Sequence, residues 1–155
     1  MSTSSISDIK KELSKKNSRD LLDFCIRLAK YKKENKELLA YLLFEVDNIP
    51  AYLENVKQET DHLFSDINTS NIYFIKKSVR KILRYINKHI RFALSKQVEA
   101  ELLIHFCNCI DNYSIPVKKS RQLMNLYEAQ LTKIEGALST LHPDLSYDLR
   151  RQREQ

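Results

Sequence analysis

The sequence predicts an all-α fold: a short αα-hairpin superhelix of the HEAT or armadillo kind with about seven helices, with a compact helical bundle as the alternative. Three observations carry this. One glycine and three prolines in 155 residues are too little punctuation for sheets and their turns, whereas helices avoid both residues. Apolar residues recur at threes and fours through most of the chain, the period of a helix face. The helices also group into hairpins at about 18–46, 50–93 and 96–141, near the roughly 40–47 residues of a two-helix solenoid repeat. A chain of this length is expected to form a single domain, 1–155, with flexible ends at 1–5 and about 148–155.

The elements follow in order. Ile6, Ile9 and Leu13 mark a short amphipathic helix. Asn17 or Ser18 suits the cap of the next, SRDLLDFCIRLAKY, whose inner face is Leu21, Cys25 and Leu28. The link KKENK leads into ELLAYLLFEV, which is apolar on nearly every side and so is expected to be central and buried. Pro50 sits where a first turn tolerates proline. That fourth helix is expected to bury Leu53, Val56, Leu63, Phe64 and Ile67. Asn68-Thr69-Ser70 is expected to supply a turn and a cap, and a long helix runs over 71–93. Ser95 caps the sixth helix, whose stretch ELLIHFCNCI again reads as interior. A link with Pro116 precedes the seventh helix, marked by Leu123, Tyr127, Leu131, Ile134, Leu138 and Leu141. Gly136 lies within it, where close helix contact is the expected reason for its cost. His142-Pro143 ends that helix, and SYDLRRQREQ reads as a polar tail.

Composition narrows the function classes. Hydrophobic residues at 43% and charged residues at 30% are the balance of a folded chain, too apolar for a disordered one. No apolar run reaches the length of a membrane span. The start, MSTSSISDIKKEL, lacks a secretion signal's apolar segment. Cys25, Cys107 and Cys109 form no disulfide framework. A cytoplasmic location is the expectation.

The net charge of +6 is unevenly spread. Residues 1–66 hold 11 Lys/Arg against 12 Asp/Glu; residues 99–155 hold 7 against 8; residues 67–98 hold 8 against none. On a helix advancing about 100° per residue, Lys76, Arg80, Arg91, Arg84, Lys77, Lys88 and Lys81 fall within about 140° of circumference. Ile75, Val79, Ile82, Leu83, Ile86, Ile90 and Ala93 take the opposite side. Tyr73 lies in the basic sector, with Tyr85 and Phe92 at its edge. Lys77–Lys81, Arg80–Arg84 and Arg84–Lys88 are like-charge pairs at i,i+4, each destabilising by a few tenths of a kcal/mol. Neighbouring acids in the fold, or an anionic ligand, would relieve that repulsion. From Lys76 to Arg91 the stripe is about 22 Å long at 1.5 Å per residue. That suits a run of phosphates held by forked arginines and point-charge lysines, with tyrosines available to stack on unpaired bases. An acidic protein or lipid headgroups would engage the same charges, and a solvated or acid-paired face is the plain alternative.

Catalytic and metal motifs are sparse. His105 and Cys109 share a helix face, Cys107 does not, and no second CxxC or HxxxH completes a tetrahedral set. Glu59-x-x-His62 has the spacing of a di-iron bundle but lacks the second motif; Glu101 and His105 are four apart instead. GxSxG, Walker and GxGxxG motifs all need more than one glycine. No cofactor, metal ligand or catalytic residue is assigned.

The stretches CIRLAKYKKENKELLAYLLFE (25–45), KKSVRKILRYINKHIR (76–91) and ALSTLHPDLSYD (137–148) together resemble a family of short, uncharacterised all-helical bacterial proteins. The resemblance covers most of the chain. It implies a cytoplasmic helical protein and carries neither an activity nor a functional residue. The functional expectation is therefore a non-catalytic protein that binds a polyanion, foremost nucleic acid, through Lys76, Lys77, Arg80, Lys81, Arg84, Lys88 and Arg91. The alternative is a helical interaction scaffold with an acidic protein partner.

Overall fold

Side-chain caps decide where most of the helices begin. Each helix start leaves backbone N–H groups without intrahelical acceptors, and a Ser or Asn oxygen satisfies one of them. Ser5 and Asp8 form a reciprocal capping box, and Asn17, Asn48, Asn71, Ser95 and Ser120 each accept from the N–H three residues on. In the computed structural model, which describes residues 3–154, these caps open α1 (Ile6–Leu13), α2 (Ser18–Tyr31), α4 (Ile49–Ser65), α5 (Ile72–Ala93), α6 (Lys96–Asn112) and α7 (Arg121–Leu138). Helices α3 (Lys33–Phe44) and α8 (Pro143–Glu154), with a 3-10 turn at Val117–Lys119, complete the order; no strand occurs among the described residues. The fold is all-α. Of the ends expected to be flexible, 1–5 and about 148–155, Met1, Ser2 and Gln155 lie outside the described residues; Ser5 caps α1 and residues 148–154 belong to α8.

The sequence reading treats the chain as one domain; its contacts gather into two compact units, the first ending at Asp47 and the second beginning at Asn48. In the first unit α2 packs on α3, and the Asn35 amide donates to the Leu28 carbonyl at 2.8 Å. The expectation that α3 is central is corrected here. Only Tyr41 of that helix is buried, while Leu42, Leu43 and Phe44 are 51%, 60% and 77% exposed. An all-apolar helix is buried only if partners cover every side, and periodicity does not count partners. The expected link KKENK is absorbed into the helix from Lys33 onward.

In the second unit α4 packs on α5 and α6 on α7, so all three expected hairpins are present. Helix α6 also meets α4, α5 and α8. Nine of its residues are buried, among them Leu102, Leu103, Ile104, Phe106 and Ile110. This is the interior helix that ELLIHFCNCI implies. Helix α5 turns Ile75, Val79, Ile82 and Ile86 inward, and α4 buries Leu53, Val56 and Phe64, though Leu63 and Ile67 are only partly covered. The Tyr52 hydroxyl also hydrogen-bonds the His89 ring across α4 and α5.

Residues 143–154 form a helix rather than the expected polar tail. Proline at a first helical turn gives up a hydrogen bond that turn never makes, so Pro143 starts α8, while α7 has already ended at Leu138. Leu149 is fully buried. The Arg153 guanidinium donates to Asp111 at 2.7 Å, to Asn108 at 3.0 Å and to the Tyr127 hydroxyl. Arg150 holds both Glu135 oxygens.

Two helix positions invite a stabilising substitution. Gly136 is exposed, and a Cβ there would meet nothing within 4 Å, so the expected close helix contact is absent. Leu94 ends α5 in the left-handed region at φ 48°, where glycine is at ease and a branched side chain is not. Gly136→Ala should stabilise the protein by about 0.5–1 kcal/mol and Leu94→Gly by about 1 kcal/mol, read as shifted midpoints in urea unfolding. Leu149→Ala should cost about 2–5 kcal/mol by the same measurement.

Candidate functional site

The cationic face of α5 is outward because its apolar face is spent on the core. Lys77, Arg80, Lys81, Arg84 and Arg91 are exposed, and Lys76 and Lys88 are half-buried. Among the described residues, no carboxylate lies within ion-pair distance of Lys76, Lys77, Arg80, Lys81, Arg84 or Arg91. Lys88 lies over the Tyr85 ring, 5.6 Å from its centroid.

Tyr73, Lys76, Lys77, Arg80 and Arg84 line an open groove of about 400 Å³. Tyr73 is 62% exposed and meets Phe74 edge to face at 5.5 Å, so its ring lies open beside four cations. Tyr85 and Phe92, in contrast, pack their edges against His89. Of the seven predicted residues, the groove gathers four; Lys81, Lys88 and Arg91 lie outside its lining.

One contributor was not foreseen. Gln122 Oε1 accepts from Lys76 at 3.0 Å and from Arg80 at 3.3 Å, which sets the first turn of α7 against the stripe. That turn has no acidic residue, and Lys118, Lys119 and Arg121 beside it are exposed. The run VKKSRQ was a visible signal, masked by the near-neutral sum over 99–155. A neutral amide that steadies two cations leaves their charge uncancelled.

The two metal-like motifs take different places. Glu59 and His62 of the di-iron spacing are exposed on α4, and His62 pairs with Asp66 at 3.3 Å. The residue between them matters more. Asp61 Oδ1 lies 2.9 Å from His105 Nε2 and accepts from the Cys109 thiol at 3.1 Å, while the Tyr113 hydroxyl donates to the Asp61 carbonyl at 3.2 Å. Burial, then the hydrogen bond to Asp61 and its charge, push the Cys109 thiol far above its ordinary range. Cys107 does not join the cluster; it is fully buried, and burial pushes its thiol up to about 12.

Glu101 lies one turn before His105 on α6. Its Oε2 is buried without a hydrogen-bond partner among the described residues. Burial raises its carboxyl above the usual range, and the nearby Lys57 charge pulls it back in part.

No protein-family model, curated protein or solved structure matches the chain. The site is therefore read from its own geometry.

A carboxyl raised on folding binds its proton more tightly in the native state, so folding is disfavoured once the pH exceeds its ordinary value. Glu101→Gln should therefore become progressively more stable relative to the parent as pH rises above the usual glutamate range. The difference should fade below that range, as read by thermal melts across pH.

Proposed function

We propose that the protein binds a polyanion, foremost single-stranded nucleic acid, through the groove on α5, without catalysis. The observation that carries this reading is that, among the described residues, no carboxylate lies within ion-pair distance of Lys76, Lys77, Arg80, Lys81, Arg84 or Arg91. Like charges at i,i+4 cost helix stability, and a phosphate chain relieves that cost while releasing its own counterions. Arg80 and Arg84 offer forked donors, and Lys76 and Lys77 act as point charges. Tyr73 supplies an exposed ring on which a base can stack, a contact that tolerates any sequence. These side chains touch phosphate and base faces, not base edges, so affinity without strong sequence preference follows. Lys81, Lys88 and Arg91 extend the field along the same helix rather than lining the groove. No described helix is long and apolar enough to cross a membrane.

The alternative, a helical scaffold with an acidic protein partner, draws its support from exposed apolar residues such as Leu22, Leu28, Leu43 and Phe44.

The test is binding of fluorescent oligonucleotides over a range of salt concentrations. If four groove cations meet phosphates, the log–log slope on single strands should be near about −3, at about −0.7 per contact. Arg80→Glu with Arg84→Glu should flatten that slope and weaken binding far more than Arg91→Glu, with the helical circular dichroism unchanged. Tyr73→Ala should weaken single-strand binding by about 1–3 kcal/mol with an unchanged slope. Absence of binding at low salt would overturn the reading in favour of the scaffold.

A further inference from the structure

The cluster between α4 and α6 takes no part in the groove, and only its Cys109 is buried in the core. We infer that Asp61, His105 and Cys109 form a binding site for a divalent transition-metal ion of the zinc type. The three groups come from two helices. His105 and Cys109 are four residues apart on α6 and so share a face, and α4 brings Asp61 against that face. A carboxylate oxygen, an imidazole nitrogen and a thiolate sulfur are the three donor types zinc accepts, whereas magnesium and calcium take oxygen sets.

The geometry is within reach of a metal. All three ligand atoms lie within 4.8 Å of one another. Bonds of about 2.0–2.3 Å at tetrahedral angles set such atoms about 3.3–3.6 Å apart. The present separations from Asp61 Oδ1 are 2.9 and 3.1 Å, so these two distances open by a few tenths of an ångström to admit the ion. The side chains of Asp61 and His105 are 47% and 23% exposed, which gives the ion a path from solvent and leaves a fourth position for water. Tyr113 holds the Asp61 carbonyl, so the carboxylate arrives from a braced backbone.

The charges and protons balance. Without metal, the Cys109 thiol spends its hydrogen on Asp61. On binding, the S–H bond breaks, the sulfur–metal bond forms, and one proton leaves to solvent. Asp61 gives a carboxylate lone pair, and His105, whose Nε2 hydrogen faces Asp61 in the metal-free cluster, loses that hydrogen to solvent, takes one back on Nδ1 and so gives the Nε2 lone pair with no net proton change. One carboxylate and one thiolate then neutralise a doubly charged ion, which lowers the cost of holding it between two helices. Asp61 precedes His105 by 44 residues and Cys109 by 48, so bound metal ties α4 to α6.

The experiment uses the full chain carrying Cys25→Ser, which removes the exposed thiol, kept reduced with a phosphine. Titration with cobalt(II) should produce a thiolate-to-cobalt charge-transfer band and ligand-field bands of tetrahedral strength, saturating at one equivalent and displaced by zinc. Cys107→Ser should keep the spectrum. Cys109→Ser and Asp61→Asn should lose the charge-transfer band or saturate at least tenfold later, and His105→Ala, at a partly exposed position, should do the same with helical circular dichroism intact. A titration with no charge-transfer band, or a band that survives Cys109→Ser or His105→Ala unchanged, overturns the site and leaves the cluster as a hydrogen-bonded strut. Oligonucleotide binding by the same variants is expected to be unchanged, so failure of the metal site and failure of the groove are separate results.

Discussion

Helix α6 is apolar around most of its circumference, and the second unit exists to cover it. With Leu103, Phe106 and Cys107 fully buried and Ile104 and Ile110 almost so, most of this helix's circumference is closed to water. Covering it takes α4, α5, α7 and α8 together. Burying a side chain of Leu, Ile or Phe size contributes about 1.5–3 kcal/mol each, far more than the few tenths at stake in each like-charge pair on α5. That inequality orients α5. Its isoleucine and valine face goes to α6, and its lysines and arginines accept mutual repulsion on the outside.

The polar features of this unit follow from the same arrangement. Where α4 crosses α6, the seam is not wholly apolar: Asp61 meets His105 and Cys109 there, and Glu101 lies one turn away with an oxygen that finds no partner among the described residues. Buried polar groups left short of hydrogen bonds cost stability unless something compensates. Helix α8 closes the remaining side with Leu149, and Arg153 fastens its far end to Asp111 and Tyr127. The cation groove and the Asp61 cluster are thus two products of one core, lying on different helix pairs.

Much of this was legible in the residues and some was not, for identifiable reasons. The caps Asn17 and Ser95 and the first-turn Pro50 were readable because helix starts have local chemistry. The cation face of α5 was readable because 100° per residue is fixed by covalent geometry. Helix α3 misled because an all-apolar pattern states what a helix wants, not how many partners it meets. Pro143 was read as a stop alone, although the same residue serves equally well as a start. Gly136 suggested a close approach that tertiary packing does not make. Gln122 and Asp61 were beyond local reading altogether: each meets its partners across more than forty residues, and no short motif records that.

The claim on which the functional account rests is that Lys76, Lys77, Arg80, Lys81, Arg84 and Arg91 on α5 carry positive charge that the described fold does not cancel. Its most direct measurement is the stability of a Lys81→Gln, Arg84→Gln variant against the parent as a function of ionic strength. Gln, Lys and Arg have nearly equal helix propensities, so the comparison isolates charge. If the charges are uncancelled, the variant is more stable than the parent at low salt, by a few tenths of a kcal/mol for each like pair removed, and the gain disappears as salt screens it. A variant less stable than the parent at low salt, with the deficit shrinking on added salt, would mean that these cations are held in attractive pairs, and would contradict the account.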